Sequence, residues 1–149
     1  MLNSHFREML SALADAEAEY LLIGAYAMAA HGCPRATGDI DLWVRPTAEN
    51  AAKVWAALLA FRAPTSGVTP QDFTEPDLVY QIGLPPQRID LLTGVDGVNF
   101  DEAWPNRLLV ELDGLTVPVI ARDDLKRNKK ATGRQKDLQD LNLLSEHPE

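Results

Sequence analysis

The sequence predicts an α+β domain with a mixed or largely antiparallel sheet flanked by helices. Three observations carry this expectation. The elements run helix, strand, helix, then mostly strands, then helices, rather than in regular alternation. Two pairs of strand-like segments are joined by connections short enough for antiparallel hairpins. The 149 residues have the length of one domain, 1–149, long enough to bury a core.

The opening segment, MLNSHFREMLSALADAEAEY, reads as an amphipathic helix, because Phe6, Met9, Leu10 and Leu13 recur at helical spacing. YLLIG (20–24) is a short buried strand. AYAMAAHG (25–32) is a helix stopped by Gly32 and Pro34. DIDLWV (39–44) is a strand. Thr47 caps a helix from Ala48 to about Phe61, with Val54, Ala57, Leu58 and Phe61 on one face. APTSGVTPQ (63–71) is loop. DLVYQIG (77–83) and RIDLLTG (88–94) form a hairpin around LPPQ. LLVELDGLTVPVI (108–120) forms another, turning at Asp113-Gly114. Residues 122–144 give one or two helices, with a break at Gly133. Trp43, Trp55 and Trp104 are expected in the core, and His31 is expected to cap or pack the second helix.

No apolar run approaches a membrane span, and no signal peptide opens the chain. The single cysteine, Cys33, excludes an internal disulfide and a cysteine-built zinc site; a cytoplasmic location fits it. A net charge of −8 argues against a long nucleic acid duplex as partner. Seven of the fourteen Lys and Arg nevertheless lie between Arg122 and Lys136. Such a local basic surface suits a phosphate-bearing ligand, although most of these side chains are read as a solvated helix face.

The chemistry sits in D-x-D. Side chains alternate across a strand, so Asp39 and Asp41 share a face. Two ionised carboxylates that close repel unless a cation lies between them, and oxygen-only ligands suit Mg²⁺ or Mn²⁺. Asp90, in RIDLL, has the same apolar flanks. If its strand pairs beside 39–44, three carboxylates converge. D-x-D alone also fits the polar side of an edge strand. Upstream, Gly24 at a strand-to-helix junction would let a phosphate approach the backbone; a plain tight turn is the other reading.

Taken together, LIGAYAMAAHGCPRATGDIDLWV, RIDLLTG and DDLKRNKKATGRQKDLQDL resemble the small stand-alone nucleotidyltransferases of the DNA polymerase β-like superfamily. The branch is that of bacterial minimal nucleotidyltransferases and abortive-infection or toxin–antitoxin proteins. The resemblance spans about Tyr20 to Leu144. It implies that Asp39, Asp41 and Asp90 are catalytic metal ligands, with Asp90 also activating the acceptor hydroxyl. It implies that Gly24 is the first glycine of the phosphate motif. Ala25 stands where these proteins usually carry Gly or Ser, which removes one hydroxyl donor to phosphate. Arg35 and Thr37 match an R-x-T-x-D-x-D lead-in: Arg35 meets phosphate or is an exposed loop arginine, and Thr37 orders the turn. Lys129 and Arg134 match basic positions facing the nucleotide, and Asp137 would orient one of them. Lys126, Arg127 and Lys130 are assigned to solvent.

The activity so implied is transfer of NMP from an NTP, with Mg²⁺ or Mn²⁺, onto a hydroxyl of a small molecule, an RNA or a protein. A partner protein completing the site is a further expectation. The alternative is a non-catalytic module of the same fold, such as the antitoxin of a toxin–antitoxin pair.

Overall fold

The computed structural model describes residues 2–146. Met1, the first residue of the expected opening helix, lies outside them. Helix α1 (Ser4–Asp15) starts at Asn3, whose side chain accepts the Phe6 N–H at 2.9 Å. All four apolar residues expected on its inner face are buried. Strand β1 (Tyr20–Ile23) is buried along its whole length and leads directly into α2 (Gly24–Ala30). Strand β2 (Asp39–Val44) is followed by α3 (Ala48–Phe61), which Thr47 caps. Buried Asn50 ties this junction to the start of β1. Its amide accepts the Glu19 N–H and donates to the Glu19 and Arg45 carbonyls.

Strands β3 (Val79–Ile82) and β4 (Arg88–Leu92) form the first hairpin. Strands β5 (Leu108–Leu112) and β6 (Leu115–Val119) form the second. Asp113 and Gly114 take φ of 49° and 83°, the paired left-handed conformation of a tight hairpin turn. Between the hairpins lie a short helix, α4 (Phe100–Ala103), and a 3-10 turn at Trp104–Asn106. The chain closes with α5 (Arg122–Thr132) and α6 (Gln135–Glu146), separated at Gly133, whose φ is 67°.

The six strands make one mixed sheet in the order β3-β4-β2-β1-β6-β5. The β1–β2, β3–β4 and β5–β6 pairs are antiparallel, whereas β2–β4 and β1–β6 are parallel. No helix among the described residues is long and apolar enough to cross a membrane.

Two details depart from expectation. The segment read as loop, 63–71, runs into a 3-10 turn at Pro70–Thr74, closed by reciprocal bonds between Thr69 and Asp72. Of the three tryptophans only Trp43 is fully buried. Trp104 is partly exposed, stacked on Phe100 and covered by the Arg107 guanidinium at 3.9 Å. Trp55 is also partly exposed. His31 follows α2 and is buried, with its Nε2 2.8 Å from the Ile120 carbonyl oxygen.

Candidate active site

The site begins with strand register. Parallel pairing sets Asp41 beside Asp90 and Asp39 beside Arg88. Neighbours in register point to the same face of a sheet, and so do residues two apart on one strand. Asp39, Asp41, Arg88 and Asp90 therefore share one face. One carboxylate oxygen from each of the three acids lies within 4.8 Å of the others.

Each acid has a different environment. Asp39 accepts the Thr37 hydroxyl at 2.9 Å on Oδ1 and the Arg88 Nη2 at 2.5 Å on Oδ2. Asp90 is 5 % exposed and accepts Arg88 Nε at 3.0 Å and Nη2 at 3.1 Å. Asp41 lacks such a clamp. Burial, then the charges of Asp39 and Asp90, pushes its carboxyl up to about 7, against a smaller opposing pull from Arg88. The Asp41 carboxylate also explains Gly24. A Cβ on Gly24 would lie 2.1 Å from Asp41 Oδ2, and the residue has a φ of +70°. The glycine therefore leaves room for a carboxylate, a role beyond the phosphate approach expected of it.

The acids lie in an open cleft of about 480 Å³. Gly24, Ala25, Arg35 and Thr37 line it from the β1–α2 turn and the segment before β2. Lys129 and Arg134 line it from α5 and the α5–α6 junction. The structure thus brings all nine candidate residues to one cleft, from segments more than 100 residues apart. The basic members are not equivalent. Lys129 is 7 % exposed, with Nζ 2.9 Å from Asp140 Oδ2 and 3.3 Å from Asp137 Oδ1. Arg134 has a largely exposed side chain and reaches Asp137 at 2.6 Å. Arg35 pairs with buried Asp140. Burial disfavours the Asp137 charge, but donors from Arg134, Thr132 and Lys129 outweigh it and hold the carboxyl at about 2. Asp137 therefore meets both basic residues, where one was expected.

Of the three side chains assigned to solvent, Lys130 is exposed, Lys126 is partly buried, and Arg127 pairs with buried Asp124 while remaining half exposed. Sequence reasoning missed Arg88 and Asp140. The first carried a usable signal: R-x-D places Arg88 on the face of Asp90 by the same alternation that unites Asp39 with Asp41.

The donor set fits a hard divalent cation. All the offered atoms are carboxylate oxygens, they converge, and the Gly24 surface lets Asp41 approach without a steric neighbour.

No protein-family model matches the chain, and no curated protein matches it by sequence. Solved structures do match by fold. The antibiotic-resistance factor ANT(2'')-Ia superposes with a TM-score of 0.64 at 14% identity, over 96% of this chain and 82% of that one. The lincosamide antibiotic adenylyltransferase LnuA, solved with lincomycin, gives 0.58 at 11% identity, over 99% of both chains. The fold is that of the nucleotidyltransferases. A nucleotidyltransferase-like protein from Paracoccidioides brasiliensis extends the likeness, with a TM-score of 0.53 at 18% identity over 94% of this chain and 74% of its own. The helices and mixed sheet expected from the sequence are those of this nucleotidyltransferase fold.

Proposed function

We propose that the chain is a nucleotidyltransferase that moves NMP from an NTP onto an acceptor hydroxyl. The observation that carries this reading is the convergence of Asp39, Asp41 and Asp90 in a cleft that also holds the Gly24–Ala25 turn and Arg134. Mg²⁺ or Mn²⁺ held by the three carboxylates would screen the triphosphate and favour ionisation of the acceptor hydroxyl. The chain's own groups do the rest. The backbone at Gly24 and Ala25, together with Arg134 and Arg35, binds and orients the phosphates. Lys129 holds Asp137 and Asp140, which in turn hold those two arginines in place. Thr37 fixes the Asp39 carboxylate. The acceptor oxygen attacks the α-phosphorus, the bond to the bridging oxygen breaks, and pyrophosphate leaves. Asp90 takes the acceptor proton.

A small hydroxyl-bearing molecule is the favoured acceptor class. The solved structures with this fold include an adenylyltransferase bound to lincomycin and ANT(2'')-Ia bound to adenylyl-2''-tobramycin. RNA and protein acceptors are the competing outcomes. The test is incubation with α-labelled ATP, CTP, GTP and UTP, Mg²⁺ or Mn²⁺, and either aminoglycosides, lincosamides or a cell lysate. Transfer of label identifies nucleotide and acceptor together. Nucleotide binding without transfer would favour the second reading, a non-catalytic module such as an antitoxin, which Ala25 in the phosphate turn supports.

A further inference from the structure

We propose that Arg88 is the resident counter-ion of the carboxylate trio, and that a divalent cation reaching Asp90 must displace it. This rests on the reading of Asp39, Asp41 and Asp90 as metal ligands. Two independent features of the fold put Arg88 in this position. It precedes Asp90 by two residues on β4, so both side chains leave the same face. The parallel register then sets it opposite Asp39 on β2. Its planar fork uses both reaches: Nε and Nη2 donate to the two oxygens of Asp90, and Nη2 also donates to Asp39. With Thr37 on the remaining Asp39 oxygen, every carboxylate oxygen of Asp39 and Asp90 already has a donor.

A divalent ion bound to the same oxygens would lie within a few ångströms of the guanidinium, and like charges at that spacing repel strongly in a partly buried site. The arginine side chain is 28% exposed, so an exit toward the cleft is open to it. Arg88 thereby holds Asp39 and Asp90 together without metal and weakens the binding of metal alone. A metal-bound triphosphate supplies what bare metal does not: extra ligands for the ion and a new anion for the freed guanidinium.

The test is titration of the full chain with Mn²⁺ alone, reading free Mn²⁺ by its electron paramagnetic resonance signal. Wild type is compared with Arg88→Gln and Arg88→Lys, and the melting temperature of each metal-free protein is recorded. Arg88→Gln should bind Mn²⁺ roughly tenfold more tightly, since a neighbouring unit charge shifts such equilibria by one or more log units. It should also melt at a lower temperature without metal. Arg88→Lys should fall between, because an ammonium cannot span two carboxylates as the fork does. Unchanged or weaker Mn²⁺ binding by Arg88→Gln overturns the proposal while leaving the metal-ligand reading intact. If Arg88→Gln does not fold, Arg88→Lys decides: tighter binding supports the proposal and unchanged binding overturns it. Absence of Mn²⁺ binding in wild type and variants, even with a non-hydrolysable ATP analogue, overturns the ligand reading and this proposal with it.

Discussion

The Asp41 carboxylate lies against the bare Cα of Gly24, where a Cβ would come within 2.1 Å of Oδ2. Gly24 also has a φ of +70°, which an L side chain rarely adopts. Gly24→Ala should therefore destabilise the protein by about 1–3 kcal/mol, the range for a residue held in a disfavoured backbone region. It should also push Asp41 out of the trio. Melting temperature and Mn²⁺ affinity measured on the same variant check both effects.

Asp39→Asn and Asp41→Asn should each abolish the rise in melting temperature produced by Mg²⁺ or Mn²⁺ with an NTP, a rise expected of any ligand bound only to the folded state. Neither should unfold the protein. Asp41→Asn should raise the melting temperature of the metal-free form at pH 8, because burial, and then the charges of Asp39 and Asp90, disfavour the wild-type carboxylate. A variant that responds to metal and nucleotide as wild type does would show that its residue is not a ligand.

Lys129 and Arg134 should separate in mutagenesis. Lys129→Ala leaves Asp137 and Asp140 without their buried cation. Breaking such a group by removing one partner costs about 3–5 kcal/mol. Arg134→Ala removes a largely exposed side chain and should destabilise the protein less than Lys129→Ala, because Lys129 and Thr132 still reach Asp137, yet weaken NTP binding. Lys126→Ala should leave NTP binding unchanged. Denaturant unfolding and nucleotide titration on all three variants provide the comparison, and equal affinity losses would point to a diffuse basic surface.

The same network sets an acid limit. The Asp137 carboxyl is depressed to about 2 in the fold, from about 3.8. A depressed carboxylate contributes stability that is present above its unfolded value and is lost as pH falls through the folded value. Stability should therefore drop between about pH 4 and pH 2, and Asp137→Asn should flatten that part of the curve. Urea unfolding at a series of pH values measures the slope.

Ala25→Ser should tighten nucleotide binding. Ala25 is partly exposed and lines the cleft beside the acids, so a hydroxyl there meets solvent or phosphate instead of apolar core. One added donor gives at most about 1–2 kcal/mol, or roughly tenfold in Kd. Calorimetric titration with each NTP reads the gain, and unchanged melting temperature distinguishes it from a folding effect.

Periodicity made most of the framework legible. The inner face of α1, the β2 strand, the hairpin at Asp113-Gly114 and the break at Gly133 all follow from local rules that operate within a few residues. The short elements Phe100–Ala103 and Pro70–Thr74 did not stand out, because four or five residues complete barely one helical turn and show no repeat. In the cleft, alternation united Asp39 with Asp41, whereas the placement of Asp90 depended on the β2–β4 register, which no local pattern specifies. Alternation alone puts Arg88 on the face of Asp90, but only that register sets it opposite Asp39. Asp140 reads as one acid among several on a polar helix, and its burial arises only when α6 packs where Arg35 and Lys129 can reach it.

Anomalous diffraction from crystals soaked with Mn²⁺ and a non-hydrolysable NTP locates metal and nucleotide together. A manganese peak should lie among the carboxylates of Asp39, Asp41 and Asp90, with the triphosphate extending toward Ala25 and Arg134. Manganese bound elsewhere, or nucleotide bound away from this cleft, would rule out nucleotidyl transfer at these three acids.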